Sequence, residues 1–163
     1  MAQQPQKPVP VADAVTAPFW EATKEGKLMV QRDIDTGKVF FYPRERSPFS
    51  LSDRLEWVEV SGKARIYSFI VVRQPGNPAF APDVPYIYAI VQLDEGPRMN
   101  GNVLGIPIED VEIDMRIEVF FEPRGDQMIP QWKPIGAPDP VRGGASDGSV
   151  DEDGTVASDP NSY

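Results

Sequence analysis

Four residues stand where a chain would build a tetrahedral metal site. Asp33 and Thr36 are three apart and are followed by Gly37. Ser47 and Ser50 are three apart, with Pro48 between them. Cysteines at these positions would form two CxxC pairs, and each tight turn would present two thiolates to one ion. Here the spacing is kept without the sulfur. One carboxylate and three hydroxyls are a poor zinc set, because zinc takes thiolate, imidazole or carboxylate ligands. A hard cation accepts oxygen ligands, but a single carboxylate holds it weakly. No zinc is therefore expected. The hydroxyls of Thr36, Ser47 and Ser50 are expected to bond backbone groups of the two turns. Phe40, Phe41, Tyr42 and Phe49 are expected to replace part of the lost metal stabilisation by packing. An exposed aromatic ribbon would also offer a docking surface.

Other chemistry is thin. The chain has no cysteine and no histidine, which excludes disulfides, thiolate and imidazole metal sites, cysteine nucleophiles and histidine-dependent triads. Asp94 and Glu95 are adjacent, so on a strand or turn they point apart and read as turn residues. Lys24, Lys27 and Lys38 carry no burial signal. Tyr67, Tyr86 and Tyr88 read as strand residues. No GxSxG, phosphate loop or dinucleotide fingerprint occurs. The chain is not expected to be an enzyme by itself. A ligand with phosphates and an aromatic base would need cationic side chains near a groove with aromatic faces. Arg44, Arg73 and Arg98 are the bases best placed beside aromatic residues, and Phe80 could cover a groove. The bland reading of each arginine is a surface ion pair.

The elements that would position these residues are mostly strands. The chain has 163 residues, of which 18 are proline, so turns and strands are favoured over long helices. Residues 1–15 read as a flexible or draped arm. Residues 16–28 read as a helix, with Thr16 as N-cap, Pro18 in the first turn and Gly26 at the stop. Phe19 and Trp20 sit at its start, either pinning the helix or facing a partner. Segments 28–32 and 38–42 form a hairpin around Gly37. From Gly62 the pattern is β: 64–73, 86–93, 99–104, 117–123 and 128–134, the last an edge strand because its prolines would break a central one. Residues 106–115 read as a helical turn or loop. About five strands with a long insertion at 74–85 fit a small OB-type barrel. Residues 137–163 hold six acids against Arg142 and read as a disordered tail. With a net charge of −9, neither the body nor the tail offers the basic stripe that nucleic-acid binding requires. No run approaches the roughly 18 apolar residues of a membrane span, and the N-terminus lacks a signal-peptide core. A cytoplasmic protein, not bound to membrane, is expected.

The order of these pieces resembles a known family. Gln31-Arg32, Gly37, Pro43-Arg44, Glu56-Trp57, Pro78-Ala79-Phe80, Val84-Pro85-Tyr86 and Leu93-Asp94-Glu95-Gly96 are similar to the acyl-CoA-associated proteins that join a rubredoxin-like zinc ribbon to an OB-fold. The likeness covers roughly residues 16–135. It implies a ribbon at 29–56 with its zinc ligands lost and an OB-fold at 57–136. It also implies a non-catalytic accessory subunit of a thiolase-superfamily enzyme: a thiolase, an acyltransferase or an aldolase acting on acyl-CoA. The expected assembly is a hetero-oligomer, two plus two, with a CoA thioester bound at a shared site. The contacts expected for ligand or partner are Phe19, Trp20, Phe40, Phe41, Tyr42, Arg44, Phe49, Arg73, Phe80 and Arg98. The alternatives are a free-standing OB module that carries acyl-CoA, or one that binds single-stranded nucleic acid. The acidic balance argues against the last.

Overall fold

The computed structural model describes residues 6–140. A short helix, α1 (Ala17–Lys24), leads into a three-stranded antiparallel sheet. Its strands are β1 (Met29–Asp33), β2 (Val39–Phe40) and β3 (Leu55–Glu59), in the order β2-β1-β3. The chain then forms β4 (Lys63–Val72), β5 (Tyr86–Leu93), β6 (Arg98–Val103), β7 (Arg116–Arg124) and β8 (Gln127–Pro134). These five close into a barrel in the order β4-β5-β6-β8-β7. The mainly β class and the five-stranded OB-type barrel expected from the sequence are both present.

The helix is shorter than its sequence signals suggest, and it is capped differently. Thr16 has helical backbone angles and makes no side-chain cap. Asp13 does that work. Its Oδ1 accepts from the N–H groups of Val15 and Thr16 and from the Thr16 hydroxyl, at 2.8–3.0 Å. The stop at Gly26 follows the expected rule. Gly26 takes φ +74°, its N–H bonds Thr23 O, and Lys27 N–H bonds Ala22 O, which is the Schellman pattern.

Over its described part the N-terminal segment is draped on the body, the second of the two expected forms. Lys7 pairs with Asp83 at 2.7 Å, and Val9 lies over Gly125. At the other end, residues 137–140 are packed as well. Lys133 Nζ bonds Asp139 at 2.7 Å and Ala137 O at 2.6 Å, and Pro140 covers Gly105. The remainder of the tail, expected to be disordered, lies outside the described residues.

Strand β8 is internal, not an edge. It pairs along its whole length with β7 and meets β6 in parallel at Val103↔Trp132. Prolines are tolerated because the β6 side of β8 is only partly a backbone ladder. Leu104 N–H bonds Trp132 O at 2.8 Å, and Asn102 N–H bonds the Gln131 side-chain oxygen at 2.8 Å. A side chain thus completes a pairing that a backbone carbonyl would otherwise make. Gly101 permits the close approach, since a Cβ there would lie 2.7 Å from the Trp132 ring.

One core spans both parts. Phe19, Leu28 and Val30 pack in the same cluster as Ala64, Ile66, Ile87, Val91, Ile117 and Trp132. The helix and the ribbon sheet are therefore built on the barrel's own interior. Among the described residues, no helix is long and apolar enough to cross a membrane.

Candidate functional site

Two regions gather the residues singled out by the sequence. The first is the pair of knuckles. Asp33 ends β1 and is fully buried. The Ser47 hydroxyl donates to Asp33 Oδ2 at 2.6 Å. Asp33 Oδ1 accepts from the N–H groups of Asp35 at 2.9 Å and Thr36 at 3.3 Å. Ser47 Oγ accepts in turn from Phe49 N–H at 3.0 Å and Ser50 N–H at 3.3 Å. Each turn therefore folds its N–H groups around an oxygen, and one short hydrogen bond links the two turns. Burial pushes the Asp33 carboxyl up, but the hydroxyls of Ser47, Ser50 and Thr36 and the Asp35 N–H outweigh it and hold it well below the ordinary carboxylate value.

This donor set does not fit zinc. Both Asp33 oxygens already accept hydrogen bonds, and the only further donors are hydroxyls. Thr36 Oγ1 and Ser50 Oγ bond local N–H groups of Lys38 and Ser52, at 3.4 and 3.2 Å.

The second region is an aromatic cleft where helix, ribbon and barrel meet. Trp20 stands edge-on to Phe19 at 5.0 Å, Phe19 touches Phe41 at 5.4 Å, and Phe41 touches Tyr42 at 4.4 Å, between ring centroids. With Pro43, Met99, Asn100, Ile129 and Pro130 these rings line a mostly apolar cavity of about 180 Å³. A second depression of about 330 Å³ shares Asn100, Ile129 and Pro130 with it. That depression continues to Phe80, Tyr86, Tyr88, Arg124 and Gln131. Burial raises the Tyr42 phenol's pKa, with a smaller contribution from Tyr88. Tyr42 therefore stays neutral and can donate a hydrogen bond at physiological pH.

Not all predicted residues come together. Phe19, Trp20, Phe41 and Tyr42 share the first cleft, and Phe80 lines the second. Phe40 is buried and faces Phe49 at 6.1 Å. Phe49 itself is exposed, with Lys38 over its ring. The ribbon aromatics thus do not form one surface. Arg44 uses its backbone N–H to bond the buried Gln31 side chain at 2.7 Å, and its side chain is exposed. Arg73 lies exposed just beyond β4. Arg98 stacks on Tyr67 with its guanidinium carbon 3.5 Å from the ring centre. Asp94 forms two bonds to Arg116, at 2.6 and 2.7 Å, and Glu95 accepts from Ser61 N–H. Both turn carboxylates are structural. Arg124 was not picked out by sequence. It follows a proline near a turn, and only closure of β7 on β8 brings it beside Phe80.

Comparison with known proteins places this geometry in a family. Residues 20–56 match the model described as the ChsH2 rubredoxin-like zinc ribbon domain, and residues 57–122 match the ChsH2 C-terminal OB-fold domain. A DUF35 domain-containing scaffold protein of Methanocaldococcus jannaschii is 32% identical over 67% of this chain and 78% of its own. The chain belongs to the DUF35 scaffold family. A probable enoyl-CoA hydratase alpha subunit of Thermomonospora curvata is 31% identical over 78% of this chain. A 3-oxo-4,17-pregnadiene-20-carboxyl-CoA hydratase alpha subunit of Mycobacterium tuberculosis is 30% identical over 77%. This DUF35 chain spans only about 40% of the length of those two relatives. A solved structure described as Ltp2-ChsH2(DUF35) aldolase superposes with a TM-score of 0.70 at 30% identity. It covers 77% of this chain and 98% of that one. A DUF35 structure from Sulfolobus solfataricus matches at TM-score 0.51 and 13% identity, over 65% of this chain and 77% of that one, which is a likeness of fold.

Proposed function

We propose that this chain is a non-catalytic accessory subunit that binds a thiolase-superfamily enzyme acting on acyl-CoA and helps to shape its acyl-CoA site. The observation that carries the reading is the match to the Ltp2-ChsH2(DUF35) aldolase structure over 98% of that chain. The chemistry of the chain agrees with it. Two of its carboxylates, held below the ordinary range by buried or paired contacts, serve internal bonds, Asp33 to the knuckle of Ser47 and Asp94 to Arg116. Neither is poised as an acid or base toward a cleft. The apolar cavity beside Trp20, Phe41 and Tyr42 is too small for a whole acyl-CoA. It suits part of an acyl or pantetheine arm whose remainder lies on the enzyme. That division implies a shared CoA site, and a two-plus-two assembly is proposed because thiolase-superfamily enzymes are usually dimers. The subunit is read as metal-free, because the four knuckle positions supply the wrong donors.

Co-expression with a thiolase-fold subunit, followed by size exclusion, tests the proposal. A co-eluting complex with acyl-CoA activity that neither chain has alone is the expected result. A lone monomer that leaves the enzyme's activity unchanged would sink it. Calorimetry of the isolated chain with acyl-CoA separates the runner-up, a free-standing carrier. Little or no binding is expected without the partner, whereas tight binding would favour the carrier.

A further inference from the structure

The outer face of the barrel carries a surface that the aromatic cleft does not explain. A bulge between Ile66 and Ser68 inserts one residue into β4 against β5. Ile66 stays in the core while Tyr67 and Ser68 both face out, and Phe69 returns inward. Ile70 then stands opposite Tyr88 and Ser68 opposite Ile90. Tyr67, Ile70, Tyr88 and Ile90 are 47%, 59%, 39% and 37% exposed. On the solvent side of a barrel these positions are ordinarily polar, and a contiguous apolar group there marks a contact surface. Asn100 and Asn102, opposite Ile90 and Tyr88 on β6, form one polar rim. Arg98 stacked on Tyr67 forms the other.

Charge identifies the occupant. The chain has 25 acidic residues, yet β4, β5 and β6 contain none. Their charged residues are Lys63, Arg65 and Arg98. Lys63 and Arg65 already lie near Asp94 and Asp114 at one end of the barrel, but a second copy, face to face, would bring to Arg98 strands that carry no carboxylate. The complementary partner has an apolar centre and acidic groups at its edge.

We infer that the outer face of β4, β5 and β6, centred on Ile70, Tyr88 and Ile90 with Arg98 at its rim, is where the catalytic subunit docks. The inference rests on the accessory-subunit reading and adds the face used. The contact is built from aromatic and aliphatic side chains with an arginine, the types that dominate interface energetics. It also places the neighbouring cleft of Tyr42 and Trp20 at the margin of the joint, because Asn100 belongs to both.

The test titrates the thiolase-fold subunit against the full chain and against Ile70→Lys, Ile90→Lys and Arg98→Glu. Phe49→Ala, on the ribbon, serves as the competing surface. All these side chains are exposed, so unchanged melting temperatures are expected and are measured first. Either lysine variant should weaken the complex by about 30-fold or more, and Arg98→Glu should slow association in a salt-dependent way. Retained affinity in the lysine variants with loss in Phe49→Ala would overturn the inference and leave the accessory reading standing. No complex with the unmodified chain would overturn both. Two further outcomes would also overturn the inference: a homodimer of the isolated chain that Ile70→Lys dissolves, and poly-dT binding that Tyr67→Ala and Tyr88→Ala abolish.

Discussion

A hydrogen bond joins Asp33 and Ser47 at positions where a metal knuckle would hold thiolates. In a metal knuckle the N–H groups of each turn point at a thiolate. Here they point at a carboxylate oxygen and a hydroxyl oxygen, and the hydroxyl's proton bridges the turns. Removing the bridge leaves a buried carboxylate short of a donor. Ser47→Ala is expected to cost about 1–3 kcal/mol, read as a lower urea midpoint with an unchanged slope. The pH dependence has a definite sign. The carboxyl of Asp33 is held below its ordinary value of 3.8, so its contribution is fully present above that pH and is lost as pH falls below it. The wild-type melting temperature should therefore drop on acidification below about pH 4, and Asp33→Asn, already weakened, should drop less. Chelator treatment should leave the melting temperature where it was, and metal analysis should find no stoichiometric zinc. A chelator-induced fall would refute the metal-free reading. The spacing at 33/36 and 47/50 was legible in the sequence. Which two of the four would meet was not, because Asp33 and Ser47 are 14 residues apart and only the sheet order β2-β1-β3 brings their turns together.

At the scale of elements, closure of the barrel depends on one glycine and one glutamine. Gly101 leaves room for the Trp132 ring, and Gln131 bonds both Asn102 N–H and Glu122. Gly101→Val would drive atoms into the indole and is expected to cost about 1–3 kcal/mol. Gln131→Leu would leave Asn102 N–H without its acceptor at a similar cost. Thermal melts followed by tryptophan fluorescence check both, since Trp132 is fully buried at the seam. Reading the prolines of 128–134 as an edge signal followed sound local logic. It failed because a proline is barred from a strand only where its missing N–H is needed. On the β6 side of β8 the bonds run from N–H groups of Asn102 and Leu104 to oxygens, the Gln131 side chain and the Trp132 carbonyl, and a proline's missing N–H does not affect them. The helix starts where the sequence placed it, after Thr16, but the cap bond comes from elsewhere. Thr16 had the right type for a cap, but the loop before it carries Asp13, whose longer reach and charge satisfy more N–H groups.

At the scale of the whole molecule, the described helix, ribbon and barrel share one core. Phe19 from the helix and Val30 from the ribbon lie in the barrel's core cluster, so ribbon and barrel should melt together. A single transition is expected, with far-ultraviolet and near-ultraviolet signals coinciding. Phe19→Ala, removing a ring that is 4% exposed, should lower that shared transition by about 3–5 kcal/mol without splitting it. Two resolved transitions would contradict the shared core.

The sequence alone determined the class of the fold, the succession of ribbon and barrel, and the family. These follow from local patterns: strand alternation, turn glycines such as Gly26 and Gly37, and the order of short motifs. It also determined that the knuckles carry no thiolate or imidazole, since that is a matter of residue type. The tertiary structure alone decided which surfaces exist. The ribbon aromatics divide because β2 ends at Phe40, which is buried against Phe49, while Phe41 and Tyr42 lie beyond the strand and turn together into the cleft beside Phe19 and Trp20. The apolar outer face arose because a bulge at Tyr67 reset the alternation of β4. Surfaces depend on which strands lie side by side, and that is set by barrel closure between residues far apart in the chain.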